Sequence, residues 1–123
     1  MFMNQTPKKM LEEQKNGKSP SDGDANEKTA LERLQDWYAQ QLNGDWEHGR
    51  GICIKSLDNP GWMLDVDLQG IDRDFPPIPY VLNEQHEGNW YSFSLENQYF
   101  RGAGDPSKLP FLIEAFLKAV GEQ

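Results

Sequence analysis

The residues best suited to chemistry in this sequence are Asp45, Glu47 and His48, which fall within four consecutive positions. Two carboxylates and an imidazole could bind a metal or exchange protons, as in a small hydrolase or a metal-dependent enzyme. Paired metal ligands spaced as His-Glu-x-x-His are missing, and the only other histidine is His86. Two other interpretations stay open. The acids could cap backbone N–H groups in a polar corner, or the segment could bind a protein partner.

Further carboxylates come in pairs at Asp65 and Asp67 and at Asp72 and Asp74. Glycoside hydrolysis requires two such groups facing each other across a cleft. Acidic domains commonly contain pairs like these, so the spacing does not predict a glycosidase. Asp65 and Asp67 fall on one face of a predicted strand, which indicates a face that is solvated or that contacts a partner.

No nucleophile is indicated elsewhere. Cys53 is the only cysteine, which excludes an internal disulfide and is typical of a cytosolic protein. Its neighbours include no histidine or basic group, so we expect a small buried or edge-strand thiol. Ser92 and Ser94 lack a Gly-x-Ser-x-Gly setting. The sequence therefore predicts no catalytic residue, no metal and no cofactor.

The elements that must position these residues begin with a helix over residues 29–43. Thr29 and Glu32 fit a capping box, and leucine and aromatic residues recur at spacings of three and four. Gly44 supplies a stop. A second helix is predicted to start at Asp105-Pro106, with Asp105 as its N-cap and Pro106 at its first helical position.

Five strands are predicted between the two helices. The alternation of Trp62, Leu64, Val66 and Leu68 is typical of a strand buried on one face. The prolines at 76, 77 and 79 favour an edge position for the third strand. Gly102-Ala-Gly104 is predicted to break the last strand, and Glu96-Asn97 to form a two-residue turn. The predicted strands are Gly51–Ser56, Trp62–Leu68, 78–84, Trp90–Leu95 and Gln98–Arg101. The fold class is α+β, with both helices packed on one face of an antiparallel sheet.

Charge and composition divide the chain into two parts. Residues 1–28 are neutral and poor in apolar side chains, so we predict a disordered tail. Residues 29–123 form a single predicted domain that carries the whole net charge of −8. Such a domain should repel nucleic acid and attract basic partners. No signal peptide and no membrane segment is predicted, which favours a cytoplasmic location.

Several strings in this domain resemble the immunity protein 53 family. They are Leu34-Gln-Asp-Trp-Tyr38, Asn43-Gly-Asp-Trp-Glu-His48, Gly51-Ile-Cys-Ile54, Leu57-Asp-Asn-Pro-Gly-Trp62, Asp67-Leu68, Gly102-Ala-Gly-Asp105 and the closing helix from Leu109 to Leu117. The similarity covers residues from about 30 to 120. It implies an immunity protein, made in the producing bacterium, that binds and neutralises the cognate toxin of a polymorphic toxin system. It implies no catalytic residue.

Charge and resemblance together predict that acids and tryptophans cover a basic toxin, such as a nuclease. Acids would steer the partner, and Trp46 and Trp62 would anchor it. An acidic adaptor for a basic host protein is the other non-enzymatic alternative. The oligomeric state stays open. The predicted partner-binding residues are Asp45, Trp46, Glu47, His48, Asp58, Asn59, Trp62, Asp65 and Asp67.

Overall fold

A computed structural model describes residues 27–122. Nearly all of the predicted tail, residues 1–28, therefore lies outside the described residues. The elements are α1 (Ala30–Gln41), α2 (Trp46–Gly49), β1 (Ile52–Leu57), β2 (Gly61–Asp67), β3 (Ile78–His86), β4 (Asn89–Glu96), β5 (Tyr99–Gly104) and α3 (Leu109–Ala119). None of the described helices is long and apolar enough to span a membrane.

Helix α1 begins as its sequence predicts. The Thr29 hydroxyl accepts a hydrogen bond from the Glu32 N–H at 3.1 Å, and the Glu32 carboxylate accepts one from the Thr29 N–H at 2.9 Å. This reciprocal pair satisfies two N–H groups that the first turn leaves without a partner. The helix ends at Gln41, two residues before the predicted end.

The five strands form one antiparallel sheet in the order β1-β2-β5-β4-β3. Alternation along β2 points Leu64 and Val66 to one face, where Phe100 of β5 and Leu95 of β4 join them. Helix α3 packs on this core face through Leu112 and Phe116, among others. Helix α1 packs against α3, with Trp37 edge-on to Phe116 at 4.9 Å between ring centroids. The predicted α+β class is confirmed.

Two glycines let α3 approach the sheet closely, and they correct the predicted strand break. Strand β5 continues through Gly102 to Gly104. A Cβ atom at Gly102 would lie 3.2 Å from the Leu112 side chain, and one at Gly104 would lie 2.7 Å from Cβ of Lys108. The glycines therefore leave room for α3 and its N-terminal turn and do not end the strand.

Two further boundaries differ from their predictions. Helix α3 starts at Leu109, three residues later than predicted, and the Asp105 side chain accepts from the Trp90 N–H of β4. The turn between β4 and β5 consists of Asn97 and Gln98, since Glu96 pairs with Tyr99. Both turn residues have positive φ, 55° and 59°, as a two-residue hairpin requires. The predicted Glu96-Asn97 turn was one residue too early.

Candidate partner-binding surface

The Asn43–Gly49 corner is held together by its own polar side chains. The Asn43 side-chain oxygen accepts from the N–H groups of Asp45 at 2.8 Å and Trp46 at 3.0 Å. The Glu47 carboxylate accepts from the N–H groups of Asn43 at 3.1 Å and Gly44 at 2.7 Å. Hydrogen bonds from backbone N–H groups, first its own and then that of Asn43, lower the pKa of Glu47. Glu47 therefore fixes the turn, and Asp45 and His48 are left exposed.

Trp46 lies in the core, with only 2% of its surface exposed. Its ring packs against Trp37 at 5.8 Å between centroids, in an edge-on arrangement. Its indole N–H donates to the backbone oxygen of Asp67 at 2.8 Å, so its one polar group is satisfied. Trp46 is therefore a core residue, and a partner could contact it as an anchor only if the domain opened.

Asp65 and Asp67 lie on the sheet face opposite the core, as their alternation predicts. Asp65 is nevertheless buried, because Arg101 and Tyr99 of the neighbouring strand cover it with hydrogen bonds of 3.2 Å each. Asp67 accepts from the Gln69 N–H at 3.0 Å and lies 3.8 Å from Arg50. Each carboxylate therefore has a partner within the domain.

The remaining predicted residues lie at the other end of β2. Asp58 and Asn59 form the exposed turn between β1 and β2. Trp62 is half-buried, and its indole N–H donates to the backbone oxygen of Pro106 at 3.1 Å. Strand β2 rises about 3.3 Å per residue, so this turn lies about 20 Å from Asp67. The nine predicted residues therefore do not form a single surface.

Four exposed acids lie at the end of the sheet where α2 packs, and we call them the acidic end. Trp46 binds the Asp67 backbone, and the loop that follows Asp67 passes beside α2. The Gln98 side-chain amide donates to the Phe75 oxygen and accepts from its N–H, both at 3.0 Å, which ties this loop to the β4–β5 turn. The acidic end consists of Asp45, Asp72, Asp74 and Glu96.

Two arginines lie at the acidic end, and both are engaged internally. Arg73 donates to the backbone oxygen of Val120 at 2.9 Å and lies over the Phe75 ring at 4.6 Å. Arg50 faces Asp67. Within residues 27–122, ion pairs engage none of the four exposed acids. Their charges are therefore free to act on a partner.

A buried polar network around Asp105 has no counterpart in the predicted site. Asp105 is only 1% exposed and accepts from the Trp90 N–H at 2.9 Å, the Ser107 hydroxyl at 2.6 Å and the Lys108 ammonium at 2.6 Å. Lys108 also donates to the Asn89 side-chain oxygen at 2.7 Å. The network joins the start of β4 to the segment before α3, so its role is structural. The Asp-x-Ser-Lys spacing of Asp105, Ser107 and Lys108 is the feature of the sequence from which this network could have been predicted.

No group of three or more histidine, cysteine, aspartate or glutamate side chains is placed to hold a metal ion within residues 27–122. Cys53 is exposed on β1, an edge strand, in agreement with its expected edge position.

Comparison with known proteins supplies one family. The model of the family described as Immunity protein 53 matches residues 31–121, which confirms the resemblance in the sequence. The match begins in α1 and ends just after α3, so it spans every strand and both long helices. No curated protein and no solved structure matches the chain.

Proposed function

The chain belongs to the immunity protein 53 family, and we propose that it binds and neutralises the cognate toxin of a bacterial polymorphic toxin system. The single observation that carries this proposal is the family match across the whole folded domain. The protein would act in the cytoplasm of the producing cell, before the toxin reaches its substrate.

The proposed mechanism is occlusion of a basic toxin surface by the acidic end. The chain has a net charge of −8, and four exposed acids lie around α2 and the β4–β5 turn. A nuclease is the toxin class that fits, because its substrate groove must be positively charged to bind phosphates. Complementary charge speeds association and orients the partner, and contacts made after docking then retain it.

The proposal keeps part of the surface predicted from the sequence. Asp45 belongs to the acidic end, and His48 remains exposed three residues further along the chain. The exposed part of Trp62 and the Asp58-Asn59 turn could make a second contact with a partner large enough to span about 20 Å. The other four predicted residues make hydrogen bonds within the domain and so help to hold the exposed residues in place; they are Trp46, Glu47, Asp65 and Asp67.

Protection from the toxin tests the function itself. The toxin domain encoded beside this gene is expressed in a bacterial host with and without the full chain, and cell survival is measured. We expect survival only when the chain is present, and a complex of the two proteins on size-exclusion chromatography. Death of the host despite abundant folded chain would refute the proposed function.

Charge reversal tests the acidic end. We expect Asp72→Lys with Asp74→Lys to weaken toxin binding about 10- to 100-fold, mainly through slower association, because steering charge is lost. Surface plasmon resonance at several salt concentrations measures both rates. The matched control is Glu27→Lys with Asp36→Lys, which makes the same change in net charge at exposed positions outside both the acidic end and the Asp58-Asn59 turn. If the control variant loses as much toxin affinity as the Asp72→Lys, Asp74→Lys variant, only the overall charge matters. If neither loses affinity, charge at the acidic end does not contribute to binding.

A further inference from the structure

Strand β3 is an open edge of the sheet. It pairs with β4 on one side only and runs for nine residues. Three consecutive apolar side chains are exposed on it, namely Tyr80 at 64%, Val81 at 37% and Leu82 at 55%. An edge strand offers unpaired N–H and C=O groups to any chain that lies beside it, and exposed apolar residues favour such pairing.

The two ends of this edge are protected, but its middle is not. Proteins commonly block edge strands with proline, lysine or a β-bulge. Pro79 and the irregularity between Ile78 and Val81 serve this purpose at the start of β3. From Val81 to Glu84 the pairing with β4 is regular, and this stretch contains neither proline nor lysine; a second irregularity follows between Glu84 and His86. The opposite edge strand, β1, carries Lys55 near its middle.

An apolar groove lies beside the open edge, on the core face of the sheet. Helix α3 covers β5, β2 and β4, and it leaves a groove of about 700 Å³ towards β3. Ile78, Phe93, Phe111 and Ala115 line its apolar part. Two basic and two acidic residues also border it, so their charges balance: Arg33, Lys118, Glu114 and Glu122. Val81 is paired with Phe93 and points to the same face, so the edge continues the groove wall. A strand added to β3 would have every second side chain on the groove side.

Charge selects the kind of segment that fits. Residues 74–100, which contain the whole β3–β4 hairpin, include four acids and neither lysine nor arginine. Glu84 lies on the face away from the groove, opposite Trp90, and Glu87 is exposed in the hairpin turn. A second copy of this chain would place like charges together. A basic segment would gain from both acids.

We propose that β3 accepts an extended segment of the toxin as a sixth strand of the sheet, and this inference rests on the proposed function. The segment alternates apolar residues, which extend over the groove, with lysine or arginine residues, which face Glu84. The first residues of the edge adjoin the acidic end, because Asp74 closely precedes β3 and Glu96 follows Leu95, the partner of Ile78. Charges at the acidic end would therefore guide the toxin to the edge where its strand pairs.

A synthetic peptide tests the edge without the toxin. The probe is a blocked peptide of about nine residues with alternating valine and lysine, which matches the length and period of an added strand. It is titrated into the isotope-labelled full chain, and backbone amide shifts and amide hydrogen exchange are measured. We expect shifts and slower exchange at residues 81–86, with residues 52–57 of β1 unchanged.

Two further peptides separate the contributions. Replacing each lysine with glutamate should abolish binding if charge selects the segment. Methylating alternate backbone nitrogens should abolish it if strand pairing holds the segment. Equal binding of either control peptide, or the absence of shifts at 81–86 with the valine–lysine peptide, overturns the proposal. Shifts at 81–86 that depend on protein concentration alone would assign the edge to a second copy instead.

A matched pair of leucine variants gives the same test within the chain. Leu82→Lys should weaken peptide binding at least about tenfold, because Leu82 shares a strand face with Glu84 and a lysine there would repel the lysines of the peptide. Leu31→Lys is the control, since Leu31 of α1 is 54% exposed against 55% for Leu82. If both variants lose peptide affinity equally, or if neither loses it, the assignment of the edge is overturned. If Leu82→Lys abolishes peptide binding but still protects the host from the toxin, the role of the edge is refuted and the proposed function stands. If the wild-type chain binds the peptide but gives no protection, the proposed function is refuted.

Discussion

Replacing Trp46 with alanine is expected to lower the free energy of unfolding by about 3–5 kcal/mol. The ring is almost fully buried between Trp37 and Tyr38, and its N–H binds the Asp67 backbone. The substitution would leave a cavity beside α1 and an unsatisfied backbone oxygen. Small domains have stabilities of about 5–15 kcal/mol, so much of the total would be lost. Urea and thermal denaturation measure the change.

Trp62→Ala is the matched control for Trp46→Ala. Trp62 is half-buried and also donates its N–H to a backbone oxygen, that of Pro106. Its removal should cost about 1–2 kcal/mol, because less apolar surface is lost. The folded fraction of Trp46→Ala should bind toxin normally once unfolding is taken into account. If Trp46→Ala had unchanged stability but weaker toxin binding, Trp46 would instead be a partner-binding residue.

Replacing Asp105 with asparagine is expected to give the second large effect, a fall in melting temperature of about 10 °C near neutral pH. The substitution leaves the Lys108 ammonium without its carboxylate and presents an amide NH₂ to groups that are themselves donors. Both changes leave buried polar groups poorly matched. The connection between β4 and α3 should loosen first, which amide hydrogen exchange near Trp90 would report.

The same residue makes stability depend on pH in the acid range. Hydrogen bonds from Lys108 first and then Ser107 hold the pKa of Asp105 below its ordinary value of 3.8. A lowered pKa in the folded state means that the carboxylate stabilises the fold above pH 3.8 and loses this effect as pH falls further.

Melting temperatures measured from about pH 7 to about pH 2 should therefore show a gap between the wild-type and Asp105→Asn chains that narrows below pH 3.8. Glu114→Gln is the control, because Glu114 pairs with Arg33 at the surface and should change stability little. A constant gap between wild type and Asp105→Asn at every pH would contradict the assigned role of Asp105.

The sequence by itself determined the features that depend on neighbours along the chain. The Thr29–Glu32 capping box requires residues three positions apart, and the alternation along β2 requires only a strand period of two. Proline placed β3 at an edge. The family resemblance could also be identified from the sequence, because it rests on short contiguous motifs.

Only the tertiary structure decided which side chains face a partner. Periodicity assigns Asp65 to one face of β2, but Arg101 and Tyr99, more than thirty residues away, make that position buried. Trp46 is similarly held by the backbone of Asp67 on another element. Burial depends on what packs above a residue, and that neighbour is set by chain folding, not by local spacing. For the same reason, the polar side chains of the Asn43–Gly49 corner, whose types suit chemistry, instead hold the turn beside the exposed acids.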